Sequence, residues 1–170
     1  MGIFDIFKKK DWRKNPDFPK FVGTIQSMLN LQVMLTPMGN KLKIPGSTPL
    51  GTLPDDMFVY GYLYGYINFC FHNSKWNKLE GDPWMAGMIL IFKNFYGEKG
   101  LKVLANSSKL MDTDKVFNAA VEFGGKQAED AFHRKNPVGL CAYLADDKEI
   151  LAKSGYKLKK WTKIHYYYFF

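Results

Sequence analysis

Residues 52–73 read TLPDDMFVYGYLYGYINFCFHN, and from Met57 to Phe71 the run carries no formal charge. No other stretch of the chain is as apolar and as aromatic. A run of this kind has to be enclosed, and three structures can enclose it. Alternation of Tyr60, Tyr62, Tyr64 and Tyr66 with Gly61, Leu63, Gly65 and Ile67 fits a strand of period two. Two interior glycines weaken that reading. A membrane span is the second. Its fifteen uncharged residues would reach about 22 Å, short of the roughly 30 Å hydrocarbon core.

The third structure is a buried helix, and the flanking residues favour it. Thr52 is placed to be the N-cap, with Asp55 three residues on as its capping-box partner. Pro54 then falls in the first turn, where a missing N–H costs nothing. Asp55 and Asp56 put negative charge at the positive end of the helix dipole. The expected centre of the fold is therefore a helix over 53–73, apolar on nearly every face. Gly61 and Gly65, four apart, form a groove for the close approach of a second helix. Ala86 and Gly87 offer a counterpart, which would make these two helices a central hairpin.

Around that helix, Asp17 and Pro19 open an apolar-striped helix expected over about 18–35. The glycines and prolines of 36–51 mark the longest loop. Asp82 and Pro83 start a further helix that Gly97 ends. A short helix in 98–111 follows, then one capped by Asp112 or Thr113. Gly124 and Gly125 either break that helix or let it run to Phe132. Asn136 and Pro137 begin a short helix, and the run from Asp146 to Glu149 caps another that Gly155 closes. The expectation is one all-α domain over 1–170 with seven or eight helices, a short amphipathic basic segment at 1–12, and an irregular or extended tail at 156–170.

Charge directs attention to the ends. The chain holds 24 basic and 16 acidic residues, a net of +8. Residues 1–20 contribute +3 and residues 153–163 contribute +5, so the remainder balances at 13 of each sign. A whole-surface nucleic-acid binder would carry its excess on the body. At the N-terminus Ile3, Phe4 and Phe7 share a helical face flanked by Lys8, Lys9 and Lys10, a pattern suited to an anionic bilayer surface. In the tail, Lys157, Lys159, Lys160, Trp161, Lys163 and His165 precede Tyr166, Tyr167 and Tyr168. Interleaved lysines and aromatics fit a partner's groove, self-association, or a single-stranded nucleic acid.

Catalytic patterns are missing from the chain: no GxSxG, Walker A, GxGxxG or HExxH occurs. Cys70 and His72 point about 160° apart on a helix and do not form a nucleophile–base pair. Glu129, Asp130 and His133, with Glu122 a further carboxylate, share a helical face, but a di-metal bundle needs that pattern twice. A solvated face with i, i+4 pairing accounts for them as well. The tyrosines and Trp76, Trp84 and Trp161 fit a core, or the wall of a small-ligand or enzyme pocket. No cofactor is implied. Cys70 and Cys141 read as free thiols and no secretory leader is evident, so a bacterial cytoplasmic protein is expected, peripheral at most to the inner membrane face. The reading is a non-catalytic module that binds a protein partner or an anionic membrane through its basic ends.

Overall fold

The computed structural model describes residues 12–34, 53–78, 82–111 and 113–156. These residues are α-helical with short connections, and no strand occurs among them. Five helices of 11–18 residues build the fold: α1 (Asp17–Met34), α2 (Met57–His72), α3 (Pro83–Tyr96), α4 (Gly100–Leu110) and α5 (Lys115–Phe132). Two six-residue helices, α6 (Gly139–Leu144) and α7 (Lys148–Lys153), close the body. The all-α class is as expected. The count of seven or eight helices overstates the architecture, because these last two span only six residues each. The segment 1–11, the loop 35–52 and the tail 157–170 lie outside the described residues.

Helix α2 is enclosed on every side. Tyr62, Leu63, Tyr66 and Ile67 have no exposed surface. Neither the strand nor the span describes this run, and no helix among the described residues is long and apolar enough to cross a membrane. The start of α2 differs from expectation. It begins at Met57, and its N-cap is Asp56, whose Oδ1 accepts the N–H of Phe58 at 2.8 Å and of Val59 at 3.4 Å. Pro54 and Asp55 precede the helix. Pro54 disfavours helical backbone at Leu53, and its carbonyl accepts the Tyr96 hydroxyl at 3.3 Å. Asp55 accepts the Tyr60 hydroxyl at 2.9 Å. The buried Asp56 carboxylate also accepts the Tyr143 hydroxyl at 2.6 Å, which ties the start of α2 to α6.

The partner of the Gly61–Gly65 groove is α5, not α3. A methyl group on Gly61 would meet the Phe117 carbonyl and stand 2.9 Å from Ala120 Cβ. One on Gly65 would meet the Val121 carbonyl, 2.7 Å from its carbon. From the other side, a methyl on Gly124 would meet the Tyr62 carbonyl. The two backbones touch, so α2 and α5 form the most extensive helix pair of the fold. The spacing explains the choice. Ala120 and Gly124 are four apart, as Gly61 and Gly65 are, and so lie on one face. Ala86 and Gly87 are adjacent and point about 100° apart. Gly87 instead faces the Phe71 ring. The same contact carries α5 through Gly124 and Gly125 to Phe132 without a break.

Caps set the remaining boundaries. Asp114 caps α5 through the Phe117 N–H at 2.8 Å, in place of the expected Asp112 or Thr113. Thr113 bonds the Lys109 and Leu110 carbonyls at the end of α4. Asp147 caps α7, and Gly155 follows it at φ +97°. Helix α6 starts at Gly139 without a cap of its own. Gln127, reaching from α5, accepts the N–H groups of Val138 and Gly139 at 2.9 and 2.8 Å.

Candidate functional site

Four places on the described body bear on function: the basic hairpin of α3 and α4, an aromatic cleft beside it, the tyrosine set of α2, and the acidic end of α5. The described residues carry 15 basic and 12 acidic side chains, a net of +3. The hairpin 83–111 alone carries Lys93, Lys99, Lys102 and Lys109 against Glu98, also a net of +3. The excess of the described body thus sits on one hairpin, and the balance expected for the body conceals it. All four lysines are exposed, and none joins an ion pair among the described residues. Lys99, Lys102 and Lys109 share one side of α4 by their spacing. A methyl group on Gly100 would stand 2.6 Å from the Phe92–Lys93 peptide, so the Lys93 backbone lies beside the first turn of α4. Leu101 is 45% exposed next to Lys102, and Leu90 is 50% exposed on α3.

The cleft, of about 390 Å³, lies where the end of α2, the turn Lys75–Lys78 and the start of α3 meet. Tyr64, Phe71, Trp76 and Trp84 contribute its aromatic lining. Asn68, His72 and Asp82 add polar groups, and Met111 of the α4 end completes one side. Asp82 precedes α3 at φ +55°, a region L-residues seldom occupy. Although placed as N-cap, its carboxylate makes no cap hydrogen bond; Pro83 leaves the first turn one N–H fewer to satisfy. The Trp84 indole N–H is buried without an acceptor.

The tyrosines of α2 divide. Tyr64 reaches the cleft. Tyr62 and Tyr66 are interior, bonded to Gln32 at 2.6 Å and to the Met28 sulfur at 3.7 Å. Burial pushes the hydroxyls of Tyr60, Tyr62, Tyr64, Tyr66, Tyr96 and Tyr143 above the ordinary tyrosine value, and that of Tyr156 up to about 12. Such groups stabilise the fold fully at pH values below the unfolded tyrosine value of about 10, and lose that contribution as pH climbs through their folded values. Alkaline titration should therefore unfold the protein above about pH 10. Tyrosinate absorbance of these seven should appear together with loss of helical circular dichroism. Tyrosinate forming at the ordinary value while the helices persist would contradict this. Burial also pushes the Cys70 thiol up to about 12. Cys70 and Cys141 are both free.

At the end of α5, Asp130 pairs with Lys135 at 3.2 Å, while Glu129 and His133 are exposed. Among the described residues, Glu129, Asp130 and His133 do not assemble as metal ligands, nor does any other group of three such side chains. Trp12 packs on Phe18 at 4.7 Å, and Tyr156 packs on Phe58 and Phe123 at 5.0 and 5.2 Å. The first tail residue thus belongs to the core. The proposed contact residues of the N-terminus (Ile3, Phe4, Phe7, Lys8, Lys9, Lys10) and of the tail (Lys157, Lys159, Lys160, Trp161, Lys163, His165, Tyr166, Tyr167, Tyr168) lie outside the described residues. A charge sum over the whole body hides the hairpin lysines. A sum over 83–111 alone finds them. Compared with known proteins, the chain matches no family model, no curated protein and no solved structure.

Proposed function

We propose that this protein is a non-catalytic module that binds peripherally to an anionic bilayer, with the α3–α4 hairpin and the basic ends facing the headgroups. The observation that carries this reading is the set of four exposed lysines on the hairpin, none of them ion-paired among the described residues, with Leu90 exposed on α3 and Leu101 on α4. Each lysine near an anionic leaflet contributes about 1 kcal/mol, and exposed leucines add partial insertion. The basic ends, with Lys8, Lys9, Lys10 and Lys157, Lys159, Lys160, Lys163, supply more charge of the same sign.

The full chain should co-sediment with phosphatidylserine-containing vesicles, more strongly as the serine lipid fraction rises and more weakly as salt rises. Replacing Lys99, Lys102 and Lys109 together by glutamate should weaken that binding by about a hundredfold or more while leaving helicity intact. Truncation after Tyr156 keeps every described core residue and should weaken binding less than the triple change. Vesicle binding unaffected by the hairpin substitutions would refute the hairpin's role. Binding to single-stranded nucleic acid with none to vesicles would replace this reading by one centred on the tail.

A further inference from the structure

We propose that the cleft between α2 and α3 is a binding site for a small ligand bearing an ammonium group. The argument is one of chemistry by exclusion and complement. A volume of about 390 Å³ suits a small molecule. Among the described residues, Asp82 is the one acidic side chain lining the cleft, and no lysine or arginine lines it. An anion would meet a carboxylate and no compensating cation. A purely apolar ligand would strip water from Asp82, Asn68 and His72 and return no hydrogen bonds. A cation meets both partners it needs: a carboxylate and aromatic rings.

Two further observations point the same way. Among the described residues, nothing uses the Asp82 carboxylate. Its carboxylate caps nothing and enters no hydrogen bond or ion pair among the described residues, yet its backbone is held in a left-handed conformation at the cleft mouth. Strain of this kind persists only where the surroundings hold it. A cation already sits on one of the cleft's rings as well. Lys75 Nζ lies 5.1 Å from the Trp76 centroid, its charge met by Asp17 at 2.8 Å. The Trp76 ring therefore already accepts one cation, while it packs against Phe18 at 5.3 Å and lines the cleft beside the half-buried Trp84.

The test is a titration of the full-length protein with choline, followed by the indole N–H signals of its tryptophans, with the Trp84 signal assigned through Trp84→Phe. The neutral isostere 3,3-dimethylbutan-1-ol and acetate serve as comparisons. Choline should shift the Trp84 and Trp76 signals saturably. The isostere should bind about tenfold more weakly and acetate not at all. Asp82→Asn and Asp82→Gly should each weaken choline binding about tenfold. Glycine at φ +55° relieves strain, so Asp82→Gly keeps the fold while removing the charge. A lipid headgroup carries the same ammonium chemistry. Choline binding accompanied by binding to phosphatidylcholine vesicles assigns the cleft to a headgroup, and choline binding alone assigns it to a free amine. No saturable shift with choline, equal binding of the isostere, or choline binding undiminished in both Asp82 variants would overturn the proposal.

Discussion

Gly65→Ala should destabilise the protein by about 2–4 kcal/mol, although alanine is the better helix former by about 1 kcal/mol. The added methyl meets the Val121 carbonyl, 2.7 Å from its carbon and 2.9 Å from its Cα. Those atoms are backbone of an 18-residue helix, so no side chain can swing aside. The helices must separate, and with them the layer of Tyr62, Phe117 and Phe123 that their contact closes. Gly124→Ala, pressing on the Tyr62 carbonyl from the other side, should behave alike. The same substitution at Gly23 has the opposite sign. Gly23 is exposed within α1 and a methyl there meets nothing within 4 Å. Gly23→Ala should gain about 0.5–1 kcal/mol. Urea unfolding of the three variants decides the matter. Equal and small effects at all three positions would mean that α2 and α5 do not meet through their backbones.

How much of this was legible beforehand follows from which signals are local. The enclosure of α2 was, because an uncharged run with no polar face leaves a helix nothing to turn toward water. That Gly61 and Gly65 form a contact groove was readable too, but the expected partner, Ala86 and Gly87, was the wrong one. Ala120 and Gly124 repeat the spacing of four, whereas Ala86 and Gly87 do not. The true N-cap was not legible. Thr52, Asp55 and Asp56 are all capping residues, and Asp56 prevails through Tyr143, 87 residues further on. The start of α6 is set in the same way, by Gln127 from a neighbouring helix. The cleft depends on the left-handed backbone of Asp82, which an Asp-Pro pair does not announce.

Asp56 carries the second large effect because one carboxylate serves two elements. Asp56→Ala removes the cap of α2, worth about 1 kcal/mol. It also takes away the acceptor of the buried 2.6 Å hydrogen bond from Tyr143, worth about 1–3 kcal/mol more. The expected loss is about 2–4 kcal/mol. Asp56→Asn keeps an oxygen for the Phe58 N–H and should lose only about 1 kcal/mol. Tyr143→Phe leaves the ring stacked on Phe58 at 3.8 Å, so its cost of about 1–2 kcal/mol isolates the hydroxyl. The double variant Asp56→Ala/Tyr143→Phe should then be less destabilised than the sum of its parts, by about 1 kcal/mol or more. Strict additivity would show that Asp56 acts as a helix cap alone. The observed geometry predicts coupling, because the Asp56 oxygen that receives Tyr143 is not the one that receives Phe58. Each bond thereby holds the carboxylate in the orientation the other requires.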